Sequence, residues 1–77
     1  MKYSPEQIEE ANTLLLFNTE NFQDGIKIHS DATPEIISAV KRLFDKGLIT
    51  QTDGGYLSDA GRKAAEHAHS LFGLLKQ

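Results

Sequence analysis

Three histidines, eleven carboxylates and eight lysine or arginine side chains are what this 77-residue chain offers for chemistry. Their spacing narrows the uses. His67 and His69 stand two positions apart on a helical stretch, so they point to different faces and cannot chelate as an i,i+4 pair would. His29 could approach them only through tertiary folding. There is no cysteine, hence no thiolate ligand and no disulfide. His67 falls on an apolar stripe near Ala64 and Leu71. There it is expected to be a packed histidine with a hydrogen-bond partner, in preference to a metal ligand or a pH-sensitive interface group. Asp53-Gly54-Gly55 lacks the Lys-Ser/Thr pair and the longer glycine spacing of a phosphate loop, and a turn accounts for it. No Gly-x-Ser-x-Gly elbow occurs, and the carboxylates are scattered over helix faces expected to be solvated. A chain this short has little room for a buried pocket. The expectation is no enzymatic activity, no cofactor and no metal.

The cations invite a different use. The stretch Pro34–Lys46 has its apolar residues at Ile36, Ile37, Val40, Leu43 and Phe44, one buried face of a helix. Half a turn away lie Glu35, Ser38 and Arg42, flanked by Lys41, Asp45 and Lys46. In a DNA major groove Arg42 could read guanine and Ser38 a base or a phosphate. Lys27, His29, Lys41, Lys46, Arg62 and Lys63 could supply backbone contacts. Charge argues against strong binding. The chain carries −3 overall, with −4 over residues 1–33, +1 over 34–46, −1 over 48–58 and +1 over 59–77. Phosphate neutralisation dominates DNA affinity, and no segment is strongly basic.

The elements that must position these residues are marked by their ends. Ser4-Pro5-Glu6-Gln7 announces a helix with a capping box and a proline at the first helical position. Ile8, Ala11 and Leu15 form its stripe, and Leu14 and Phe17 point away from that stripe. Thr19–Asp24 could make one helical turn with Phe22 inward, and Ile26–Ile28 alternates like a very short strand. Thr33-Pro34 opens the second clear helix, and Gly47 is placed to close it in the left-handed region. Leu48–Thr52 reads as a strand, Asp53-Gly54-Gly55 as a hairpin turn, and Tyr56-Leu57 as the return strand. Ser58 can cap the last helix, which runs to about Leu75 with Ala60, Ala64, Ala68, Leu71 and Leu75 on one face and Phe72 beside it. This is more apolar surface than one small core hides, and it points to a homodimer through Leu14, Phe17, Leu71, Phe72 and Leu75.

The order helix, irregular piece, helix, Lys46-Gly47-Leu48-Ile49, strand, Asp-Gly-Gly, strand, Leu57-Ser58-Asp59-Ala60-Gly61, helix resembles the winged helix-turn-helix domain, best over Ile36–Ala64. "GIKIHSDATPE" and "DGGYLSDAG" also make the chain similar to a small family of uncharacterised gammaproteobacterial proteins, some of which bear names such as DNA-binding protein or transcriptional regulator. The resemblance implies one α+β domain over residues 1–77. It would have three helices, a two-stranded wing between the second and third, and a short third strand at 26–28. Two departures stand out. A winged helix has three helices before its wing, and only about fourteen residues separate the first helix from residues 34–46. The wing, Thr50–Tyr56, holds no lysine or arginine.

Two functions are therefore expected. One is a small DNA-binding protein or transcriptional regulator using Ser38, Lys41, Arg42, Lys46 and Lys27, with weak and salt-dependent affinity for double-stranded DNA. The other is a dimerisation or protein-interaction module that keeps the winged-helix shape without binding DNA. The N-terminus has no apolar core of a signal peptide, and the longest apolar run, Leu14–Phe17, is far too short for a membrane span. A cytoplasmic location without membrane association follows as the expectation.

Overall fold

Ser4 starts the first helix as its neighbours predict. Its hydroxyl accepts from the Gln7 amide at 3.1 Å, and the Gln7 side chain accepts from the Ser4 amide at 2.9 Å. The computed structural model describes residues 1–77. The chain runs α1 (Pro5–Leu14), β1 (Ile26–Lys27), α2 (Pro34–Asp45), β2 (Ile49–Gln51), β3 (Gly54–Leu57) and α3 (Asp59–Leu75). The strands form an antiparallel sheet in the order β1-β3-β2. The architecture is α+β, with the β2–β3 hairpin between α2 and α3.

Backbone chemistry sets the boundaries. Thr33 caps α2 through its hydroxyl, 3.3 Å from the Ile36 amide. At the other end the Gly47 amide donates to the Phe44 carbonyl and the Leu48 amide to the Leu43 carbonyl. With Gly47 at φ 76°, this is a complete Schellman closure. Ser58 then joins two helices. Its hydroxyl donates to the Gly47 carbonyl at 2.6 Å and accepts from the Gly61 amide at 3.0 Å. A Cβ at Gly61 would lie 1.8 Å from the Leu48 carbonyl oxygen, so only glycine lets α3 dock this closely on the α2–β2 connection.

Two local expectations hold only in part. Thr19–Asp24 forms no helix, only a single turn in which the Asp24 amide donates to the Asn21 carbonyl at 3.1 Å, with Phe22 packed against the core as expected. Asn18 and Asn21 accept from the amides of Glu20 and Gln23, at 2.8 and 3.1 Å. These side-chain turns compete with helix for the same backbone donors. The hairpin turns at Thr52-Asp53, one step before the glycines, which lie in β3. Ile49 pairs with Leu57 and Gln51 with Gly54, so β3 carries an extra residue. Gly55, at φ 75°, absorbs this bulge.

The core holds Leu14, Phe17, Val40, Leu43, Ile49, Leu57 and Ala65. Leu14 and Phe17 were expected on a dimer surface. They are buried instead, Leu14 on the face of α1 that also carries Glu10 and Thr13, and Phe17 in the turn that continues it. Positions 10, 13, 14 and 17 are one helical stripe whose polar members disguise it. Thr13 satisfies its hydroxyl on the Glu9 carbonyl at 2.8 Å. The stripe expected inside turns outward: Ile8 is exposed, and Ala11 and Leu15 are only partly covered. On α2, Ala39 is fully buried while Phe44 stays 37% exposed, a rotation of the expected inner face toward α1.

Candidate functional site

The charged face of α2 is where a DNA contact would form, and α1 lies along it. Arg42 Nε donates to Glu10 Oε2 at 2.8 Å, and Lys46 Nζ binds Glu10 Oε1. The Arg42 guanidinium also reaches the Glu6 carbonyl at 3.3 Å. Glu10 is buried. Burial alone would raise its pKa, but the hydrogen bonds from Lys46 and Arg42, and their charges, outweigh that and hold the carboxyl below its ordinary value of 4.5. Ser38 and Arg42 line a shallow depression of about 340 Å³ whose other walls include Glu6, Glu9 and Glu35. Two of the cations expected to meet phosphate are thus committed to a carboxylate, and the depression that Arg42 shares with Ser38 is acidic.

Lys27 and Lys41 are placed differently. With His29, Ser30, Thr52 and Asp53 they line a cleft of about 520 Å³, floored by Ile28, Ile37 and Val40, between the post-β1 loop, α2 and the hairpin turn. Neither lysine has an ion-pair partner. The candidate DNA-contact residues are therefore split, Ser38 and Arg42 in one depression, Lys27 and Lys41 in this cleft and Lys46 at the groove between α1 and α3, and share no single site. Arg62 lies over the Phe22 ring, 5.0 Å from its centroid, and is drawn toward the loop it covers.

The largest apolar feature lies between α1 and α3. Tyr3, Ile8, Ala11 and Leu15 form one wall of a groove of about 430 Å³; Ala64, Ala68, Leu71, Phe72 and Leu75 form the other. Leu14, Leu43 and Leu48 contribute to its lining from the packed interior. It exists because α1 packs chiefly on α2 and because alanines on α3 leave a channel where larger side chains would fill it. Of the expected dimer residues, Leu71, Phe72 and Leu75 meet here. Leu14 contributes only from the interior, and Phe17 is absent from the lining. His67 was expected to be packed with a partner. It is exposed on the lip of the groove, and the neighbouring His69 is the bonded one, with Nε2 3.0 Å from the Phe17 carbonyl. Sequence reasoning missed Tyr3, Ile8 and Ala11 as surface groups, and it missed Glu10 as the partner of Arg42. The 10-13-14-17 spacing was the available signal for both.

Such a groove can bury an apolar helix or side-chain cluster. No three His, Asp or Glu side chains are grouped to hold a metal. No helix is long and apolar enough to cross a membrane. The chain belongs to the family described as DUF5669, a family of unknown function, whose sequence pattern matches residues 1–76. No curated protein and no solved structure matches it.

Proposed function

We propose that this protein is a non-enzymatic interaction module whose working surface is the apolar groove between α1 and α3. One observation carries the reading: Ile8, Leu71, Phe72 and Leu75 stand exposed around a channel that reaches the core. A contiguous apolar surface of this kind on a small chain marks a contact site. The pairing of Arg42 and Lys46 with Glu10 supports it from the other side, because it withdraws two cations from any phosphate.

A second reading is a winged-helix DNA-binding regulator. The order of elements and the β1-β3-β2 sheet are compatible with a winged helix lacking its middle helix, and Lys27 and Lys41 share a cleft beside the hairpin. Two free lysines release few counterions, however, against the 6–10 phosphate contacts of a typical strong binder, taken as an order of magnitude. Fluorescence anisotropy of a mixed-sequence duplex at low salt separates the readings. The interaction module predicts no binding at tens of micromolar protein. Binding that is lost in Lys27→Ala and Lys41→Ala would establish the regulator in its place.

A further inference from the structure

The α1–α3 face contains both a channel and the ridge that would fill one. Ala64 and Ala68 form the α3 side of the channel, and Leu71, Phe72 and Leu75 rise from the same helix one to two turns later. Ala65 is the last buried residue of α3, yet the helix continues to Leu75, with Leu71, Phe72, Leu74 and Leu75 all exposed. An apolar helix end this exposed contributes little stability by itself.

We infer that the occupant of the groove is a second copy of this chain, related by a two-fold axis, with α3 lying antiparallel to the α3 of that copy. This rests on the reading of the groove as the working surface. Channel and ridge are centred about seven residues apart, or roughly 10 Å along the helix at 1.5 Å per residue. A two-fold axis midway between them, close to His69 and Ser70, places each ridge over the other copy's channel. The contact is then isologous and closes on itself. A head-to-tail arrangement would leave one ridge and one channel open at every stage of assembly.

The area fits a dimer. Tyr3, Ile8, Leu71, Phe72 and Leu75 are exposed to 64, 48, 40, 51 and 73%. At about 150–250 Å² for a large apolar side chain, these fractions amount to roughly 400–700 Å². A standard interface takes about 800 Å² from each partner, of which roughly 60% is apolar. The two figures agree without any further apolar surface. On α3 itself charge does not oppose the contact, since residues 59–77 carry only +1 and mix both signs.

Sedimentation velocity from low micromolar to near-millimolar protein tests the inference. The expected result is a reversible doubling of mass with concentration. Phe72→Glu and Leu75→Glu should each hold the chain monomeric throughout, with an unchanged circular dichroism spectrum, because both side chains lie outside the core. Should Phe72→Glu fail to fold, Leu75→Lys, at the more exposed position, carries the test. Tyr56→Glu, an exposed aromatic on β3, should leave the dimer intact. A wild-type monomer at every concentration overturns the inference, as does a dimer indifferent to both α3 substitutions. A monomer that enhances bis-anilinonaphthalene-sulfonate fluorescence, with the enhancement lost in Phe72→Glu, overturns the dimer and leaves the groove reading standing. A monomer without that enhancement overturns both.

Discussion

Replacing Glu10 by alanine removes the one carboxylate that holds α1 to the C-terminal half of α2. Its side chain is 8% exposed, while those of Arg42 and Lys46 are 32% and 51% exposed. Breaking a fully buried pair from one side costs about 3–5 kcal/mol, because the remaining charge stays stranded. Here both cations can turn toward water, which removes about half of that penalty, since exposed pairs contribute only about 0–1 kcal/mol. The expectation is a loss of about 2 kcal/mol, equivalent to a drop of roughly 8–16 °C in melting temperature for a domain of this size. A double-mutant cycle of Glu10→Ala with Arg42→Ala, followed by urea unfolding at neutral pH, isolates the pairwise part. Coupling of about 1 kcal/mol or more is expected, above the roughly 0.5 kcal/mol within which independent sites add. Additive losses would refute the reasoning. Arg42 would then be free of Glu10 in solution and available to other ligands, which would reopen the DNA reading.

Two further outcomes follow from the same geometry. Because the Glu10 carboxyl is held below 4.5 in the folded chain, its contribution is complete above the unfolded value and is lost as pH falls through the lower folded value. Stability measured by denaturant titration should therefore decline below about pH 4.5, and Glu10→Gln should flatten that limb. An unchanged acid limb in the variant would assign the decline to other carboxylates. At Gly61 a methyl group would collide with the Leu48 carbonyl, a backbone atom that cannot step aside. Gly61→Ala should cost about 3 kcal/mol or more, in the range of severe overpacking, despite the higher helix propensity of alanine. Thermal unfolding no worse than wild type would show that α3 docks elsewhere.

What the sequence made legible was local. The Thr33 cap, the Gly47 closure, the Ser58 cap and the existence of the hairpin each depend on residues within a few positions of one another, and each stands as read. The short strand read at Ile26–Ile28 from its alternation forms over Ile26–Lys27. The inner face of α1 was not legible, because that helix is apolar on two sides and its buried stripe contains a glutamate and a threonine. Periodicity locates stripes, but it does not say which one meets the core when both are apolar. Glu10 and Arg42 are 32 positions apart, and only the packing of α1 across α2 brings them together. The exposed α3 ridge was legible because an alanine stripe followed by Leu71, Phe72 and Leu75 exceeds what one small core can cover. The glycines of the hairpin were legible as glycines, but their place in β3 was not. That place depends on a bulge and on the carbonyl of Ile26, which a Cβ at Gly54 would approach to 2.5 Å.

The central claim is that this protein works through the α1–α3 face and not through the charged face of α2. Amide chemical shifts of the ¹⁵N-labelled chain, followed through a dilution series, test it residue by residue. The account predicts concentration-dependent shifts that cluster at Ile8, Ala11, Ala64, Ala68, Leu71 and Phe72, with Ser38, Lys41 and Thr52 unmoved. Shifts confined to Ser38, Lys41 and Thr52 would contradict it, and no shifts at any residue would contradict self-association through that face.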